Sequence, residues 1–199
     1  MVFAFLLLGS FAAAAAPRIL VWGDSLSAGY GLRANEAWPT LLQSALTRKG
    51  FLHTVVNASV SGETSAGGRS RLPQALKEHR PAIVIIELGA NDGLRGLPPQ
   101  MMADNLRAMV DMVRQAGARP LLIGMEMPPN FGSGYVNRFR QAYAEVAQAT
   151  ASRFVPFLMA GFAQRQELFQ ADGIHPTKEA QPMIVDTVWP GLEPLLKER

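Results

Sequence analysis

Short apolar runs alternate along this chain with longer stretches in which apolar residues recur every three or four positions. The runs predict strands at residues 19–22, 52–56, 82–86, within 120–127 and at 154–157. The longer stretches predict helices at 36–46, 64–79, 98–115, 135–150 and 178–197, the last interrupted by Pro182 and Pro190. Their inward faces are expected to carry Trp38, Leu41, Leu42 and Ala45, then Leu72 and Leu76, then Met102, Leu106, Met109, Val110 and Val113. Residues 82–86 form an unbroken, largely β-branched run, which fits a central strand covered on both sides. Strand–helix alternation requires crossover connections, and these give a parallel sheet with helices on both faces. With right-handed crossovers the expected fold is a three-layer, flavodoxin-like α/β one, with five parallel strands ordered 2-1-3-4-5. Sites in such sheets form at the carboxyl ends of the strands.

Composition narrows the chemistry. With 199 residues and 48% apolar content the chain suits one domain with a sizeable core. It has no cysteine, which removes thiol nucleophiles, disulfides and thiolate metal sites together. Three scattered histidines (His53, His79, His175) make no zinc cluster, and no metal or cofactor is expected. The net charge is +3, but the basic residues are dispersed, so a nucleic-acid partner is not expected. Residues 1–16 are apolar, uncharged and end in alanines, as in a secretory leader with an A-x-A cleavage site. The expected organisation is therefore a signal peptide at 1–16 and a single domain at 17–199, periplasmic or secreted after cleavage. No basic residue precedes the apolar run, a departure from the secretory pattern. A buried first helix is the alternative; a spanning anchor needs about 20 apolar residues.

Candidate chemistry follows the predicted strands. Gly23-Asp24-Ser25-Leu26 comes directly after the first, and Asp172-Gly173-Ile174-His175-Pro176 lies far downstream. A serine hydroxyl attacks at neutral pH when a base takes its proton and a third group orients that base. Ser25, His175 and Asp172 supply those roles, which points to a serine hydrolase. Gly62 follows the second strand and Asn91 the third. The backbone amides of Ser25 and Gly62 and the side-chain amide of Asn91 suit an oxyanion hole. Each segment also has a plainer reading: Ser25 as a cap, Asp172-Gly173 and Asn91-Asp92-Gly93 as turns. Their combination favours catalysis. Asp24 and Asp92 read as acceptors that hold loops, Glu63 as a first-turn helix residue, and His53 and His79 as structural. There is no Gly-x-Ser-x-Gly elbow, no Ser-x-x-Lys pair and no phosphate-cradling Gly-x-x-x-x-Gly-Lys loop.

Ser25, Gly62, Asn91 and His175, in these contexts, resemble the four residues for which the SGNH (GDSL) hydrolases are named. Within that superfamily the blocks are most similar to bacterial periplasmic enzymes with acyl thioesterase, lysophospholipase and arylesterase activity. The resemblance implies Ser25 as nucleophile, His175 as base, Asp172 as its partner, and Ser25, Gly62 and Asn91 around the oxyanion. It implies hydrolysis of carboxylic esters and thioesters through an acyl-enzyme, with Leu94, Leu97, Phe131 and Tyr135 lining an acyl groove. Small ester, thioester or lipid substrates, a monomeric state and transient contact with a membrane surface are the corresponding expectations. The alternatives are a sugar or peptidoglycan O-acetyl esterase and a non-catalytic flavodoxin-like binding module.

Overall fold

Five parallel strands run through the middle of the molecule: β1 (Arg18–Gly23), β2 (Thr54–Asn57), β3 (Ile83–Glu87), β4 (Arg119–Ile123) and β5 (Arg153–Val155). The computed structural model describes residues 16–198. The expected leader, apart from Ala16, lies outside the described residues. The strand order is β2-β1-β3-β4-β5, as the alternation predicts. β3 is central and buried along its whole length, and each of its fully buried aliphatic side chains contributes about 1.5–3 kcal/mol relative to exposure.

Between the strands come α1 (Ser25–Ala28), α2 (Trp38–Arg48), α3 (Ser65–His79), α4 (Ala90–Leu94), α5 (Pro99–Gln115), α6 (Ser133–Ala149) and α7 (Gln181–Lys197). Helices α2 and α7 pack together on one side of the sheet, while α3, α5 and α6 lie side by side on the other. The expected inward residues of α2, α3 and α5 are buried, with Leu41 half-buried against the core.

Several boundaries differ from the sequence expectation for identifiable reasons. Residues 36 and 37 do not belong to α2, because Glu36 closes a turn on Arg33 and Pro39 fits the first helical turn, where no N–H is required. Leu52 is highly exposed and His53 precedes β2, so the strand is shorter than its apolar run. His53 is buried beside Phe51, and burial pulls its pKa down. Glu63 stands before the Thr64 N-cap of α3, outside the helix, and pairs with Arg71, whose guanidinium covers Trp22.

Helix α7 is the larger correction. It runs unbroken through Pro190 and Pro194, with Pro182 in its first turn. Each interior proline lacks an amide hydrogen and costs about 3 kcal/mol in an isolated helix. Here Ile184, Val185, Val188, Leu192, Leu195 and Leu196 bury one face against the sheet, and that packing holds the helix together. Gly191 brings the helix close: an added β-carbon would lie 2.8 Å from Val155 Cγ2 and 3.0 Å from Leu121 Cδ1.

Among the buried polar side chains, Glu87 is the carboxylate set deepest in the sheet's central strand. Glu87 ends β3 opposite Gly23 of β1 and is fully buried. Ser27 Oγ donates to its Oε2 at 2.6 Å, while Oε1 meets no partner among the described residues. Burial first, and then the nearby Asp24 charge, push the Glu87 carboxyl well above its usual range, so it keeps its proton.

Gly191→Ala tests the close approach of α7. An exposed helical glycine gains about 0.5–1 kcal/mol on changing to alanine, whereas crowding here should cost about 1–3 kcal/mol. Urea denaturation should therefore show destabilisation; a stabilised variant contradicts the packing. Glu87→Gln tests the buried acid. Because the native pKa is raised, the wild type loses stability as pH climbs above the unfolded value, and the glutamine variant does not. The melting temperature of the variant relative to wild type should thus rise between pH 5 and 8, and a flat difference refutes a protonated Glu87.

Candidate active site

The chain leaves β1 through Gly23, where a β-carbon would lie 2.6 Å from Glu87 Oε2 and 2.7 Å from Ser27 Oγ. Only glycine fits there, and it lets the chain turn at once into the single-turn helix α1. Ser25 is the first residue of that turn. Asp24 caps it, accepting from the Leu26 amide at 3.0 Å, and Gly29 ends it in the left-handed conformation.

The 172–175 loop meets Ser25 from the other end of the chain. Asp172 Oδ1 accepts from the amides of Ile174 (2.9 Å) and His175 (3.0 Å). Its Oδ2 lies 2.7 Å from His175 Nδ1, and His175 Nε2 lies 2.9 Å from Ser25 Oγ. The His175 amide, then its ring and the Ile174 amide, hold the Asp172 pKa down to about 2. With Asp172 ionised, Nδ1–H donates to it, and Nε2 is left to accept the serine proton. Oxygen, imidazole and carboxylate form one hydrogen-bonded line.

Asn91, in α4, approaches from β3. Its Nδ2 donates one hydrogen to Asp24 Oδ2 at 3.0 Å, which ties α4 to the cap of α1. Asp24 is completely buried. Burial raises its pKa to about 6, against the opposing pull of the Leu26 and Asn91 donors. Asp92 is also buried and accepts from Ser65 N at 2.7 Å and Ser65 Oγ at 2.6 Å, tying α4 to the start of α3. Both aspartates hold loops, as the sequence suggests.

Gly62 lies in an exposed turn after β2 at φ 79°, in the left-handed region. The Val60 carbonyl in that turn is taken by Glu63, and Arg95 Nη2 reaches the Gly62 carbonyl at 3.2 Å, linking the turn to the loop after α4. Of the candidate groove residues, Tyr135 donates to the Leu97 carbonyl at 2.8 Å and stacks on Phe131 with centroids 6.3 Å apart. Phe131 and Tyr135 are half-buried against the core, whereas Leu94 is exposed at the end of α4.

Sequence reasoning did not find three supporting residues. The Tyr30 ring lies 4.5 Å from the His175 ring. Gln170 donates to the Tyr30 carbonyl (2.8 Å) and the Pro176 carbonyl (3.1 Å), stitching the loop after α1 to the histidine loop. Glu87 supports α1 from behind through Ser27. Tyr30 adjoins the GDSL block, which is a usable signal. Gln170 and Glu87 give none, since nothing near them in sequence names their partners. Among the described residues no group of three or more His, Asp or Glu has metal-holding geometry. A groove of about 330 Å³ between α2 and α7, lined by Leu41, Arg48, Lys49, Val185 and Trp189 among others, includes none of the Ser25 cluster.

The family model of the GDSL-like Lipase/Acylhydrolase family matches residues 21–181. Esterase TesA of Pseudomonas aeruginosa is 49% identical over 183 residues, 92% of this chain and 91% of that protein. Thioesterase 1/protease 1/lysophospholipase L1 of Escherichia coli K12 is 44% identical over 98% of this chain and 92% of its own. Among solved structures, the psychrotrophic esterase EstA of Pseudoalteromonas, described as inhibited by monoethylphosphonate, superposes with a TM-score of 0.86 at 39% identity, covering 91% of this chain and 99% of its own. A match across most of the described domain, in sequence and in fold alike, places the chain in the GDSL-like lipase/acylhydrolase family of hydrolases.

Proposed function

We propose that the protein is a serine esterase that cleaves carboxylic esters and thioesters through an acyl-enzyme, with Ser25 as nucleophile. The observation that carries this reading is the line from Ser25 Oγ through His175 to the ionised Asp172. His175 Nε2 takes the serine proton as Oγ bonds to the acyl carbon. The charge that develops on the acyl oxygen is met by the amides of Ser25 and Gly62 and by Asn91 Nδ2, each donor typically contributing about 3 kcal/mol. As the intermediate collapses, the bond from carbon to the leaving oxygen or sulfur breaks, and Nε2 returns the proton to the leaving group. Water then repeats the sequence and frees the acid. Asp172 holds the imidazole in the productive tautomer and offsets its positive charge.

The acyl chain would run toward Leu94, Leu97, Phe131 and Tyr135, where the tyrosine hydroxyl and the Phe131 stack hold the loops after β3 and β4 together. Relatives named as an esterase, an arylesterase and a thioesterase/lysophospholipase support aryl esters, acyl thioesters and lysophospholipids as the substrate class. The apolar, alanine-ended leader at 1–16 supports a periplasmic or secreted site of action for a monomeric enzyme.

A fluorophosphonate probe should label wild type at Ser25, and Ser25→Ala should lose the label and at least about 10³-fold in kcat while folding normally. A labelled alanine variant sinks the assignment, and an unlabelled wild type favours a binding module. A nitrophenyl ester series should show activity persisting on medium chains; sharp preference for acetyl favours the O-acetyl esterase alternative. Asp172→Asn should lower kcat by roughly 10³- to 10⁴-fold. Because the Asp172 pKa is depressed, its stabilising contribution is complete above pH 3.8 and fades as pH falls toward 2. The melting-temperature gap between wild type and this variant should change as pH falls from 4 to 2; a gap that is flat across that interval contradicts the depressed pKa.

A further inference from the structure

Two hydrogen bonds hold the edge of the His175 imidazole: Asp172 Oδ2 accepts from Nδ1, and Ser25 Oγ donates to Nε2. They leave the faces of the ring without support. One face is met by Tyr30, whose ring centroid lies 4.5 Å away with the planes 35° from parallel. Tyr30 is itself placed relative to both partners of the proton transfer. Its amide donates to the Ser25 carbonyl at 3.1 Å, across the end of α1. Its carbonyl accepts from Gln170 Nε2 at 2.8 Å, and the same nitrogen donates to the Pro176 carbonyl at 3.1 Å, one residue beyond His175. The Gln170 amide donates to the His175 carbonyl at 2.7 Å. Gly31 lets Gln170 come this close: its φ is 74°, and a β-carbon there would collide with Gln170 Oε1.

We propose that Tyr30 is a positioning residue for the reaction, holding the His175 imidazole in line with Ser25 Oγ, and that Gln170 anchors it there. The inference rests on the esterase reading and adds the group that acts on its base. Tyr30 works in two ways. Its ring closes one side of the space into which the imidazole could turn, and a misplacement of about 1 Å at a reacting centre can cost 10²-fold in rate. Its π face also lies against a ring that becomes positive when Nε2 takes the serine proton, and a cation within about 6 Å of an aromatic centroid is favoured. That charge arises in both halves of the reaction, so forming and hydrolysing the acyl-enzyme depend on Tyr30 alike. A side chain that gripped the acyl chain would instead matter more for some esters than for others.

The test uses the full chain carrying Tyr30→Leu, Tyr30→Phe, Gln170→Met, or Tyr30→Leu with Gln170→Met. Rates on nitrophenyl acetate and nitrophenyl octanoate are normalised to sites titrated with a fluorophosphonate. Tyr30 is 54% exposed, so the leucine variant should melt close to wild type. It should lose about tenfold or more in kcat and in kcat/KM alike, on both esters, and be labelled more slowly by a similar factor. Tyr30→Phe keeps the ring and should return the rates to within about threefold of wild type. The ring-proton resonances of His175 should shift in the leucine variant and stay in place in the phenylalanine one. Gln170→Met keeps the length and loses both donors; the double variant should be little slower than the slower single one, because both changes cut one brace. Unchanged rates in Tyr30→Leu, equal losses with leucine and phenylalanine, or a loss confined to KM or to the octanoate ester overturns the inference. Fully additive losses in the double variant remove Gln170 as the anchor. A wild type that is neither active nor labelled fails the esterase reading itself, whereas an active, labelled wild type with an indifferent Tyr30→Leu fails the positioning role alone.

Discussion

Where β1 ends, Gly23 lies against Glu87 of β3 so closely that no β-carbon fits between them. That contact lets the chain turn within one residue from a buried strand into α1, with Ser25 facing out and Ser27 facing back to Glu87. The acid behind the turn is neutral by virtue of its burial, so it holds Ser27 without placing another full negative charge beside Asp24. Asp24 in turn joins the cap of α1 to Asn91. The proposed nucleophile and one proposed oxyanion donor are thus fixed by the same carboxylate, itself fixed by the core. A site that depends on geometry of this kind needs a rigid support, and the two buried strands provide it.

The histidine comes from a different kind of structure. Its loop lies between β5 and α7, outside the sheet, and is closed at its base by an isolated antiparallel bridge between Phe169 and Pro176. Asp172 adds to that support by accepting two backbone amides as well as the imidazole, while Gln170 ties the segment to Tyr30. One carboxylate therefore shapes the loop, selects the tautomer and keeps its own charge.

Strand order and helix faces were legible from periodicity because the burial that stabilises the fold leaves its mark on every third, fourth or second residue. Residues 82–86 announced a central strand for this reason. The candidate site was legible where chemistry-bearing residues follow strands in order: Ser25, Gly62, Asn91, then Asp172 and His175. Propensity misled where tertiary packing outweighed it. Pro182 and Pro190 read as breaks, yet Pro182 falls in the first turn of α7 and the buried face carries the helix through Pro190. Leu52 read as strand, yet the ladder between β1 and β2 starts only at Thr54.

The residues alone thus determined the class of fold, the family and the set of groups able to act, since these depend on local pattern and on chemical type. Only the folded chain decided that Glu87 is a buried neutral prop and that Gln170 and Tyr30 brace the histidine. Those properties arise between segments far apart in sequence. Distance along the chain carries no record of them, because burial and proton affinity exist only once the strands are side by side.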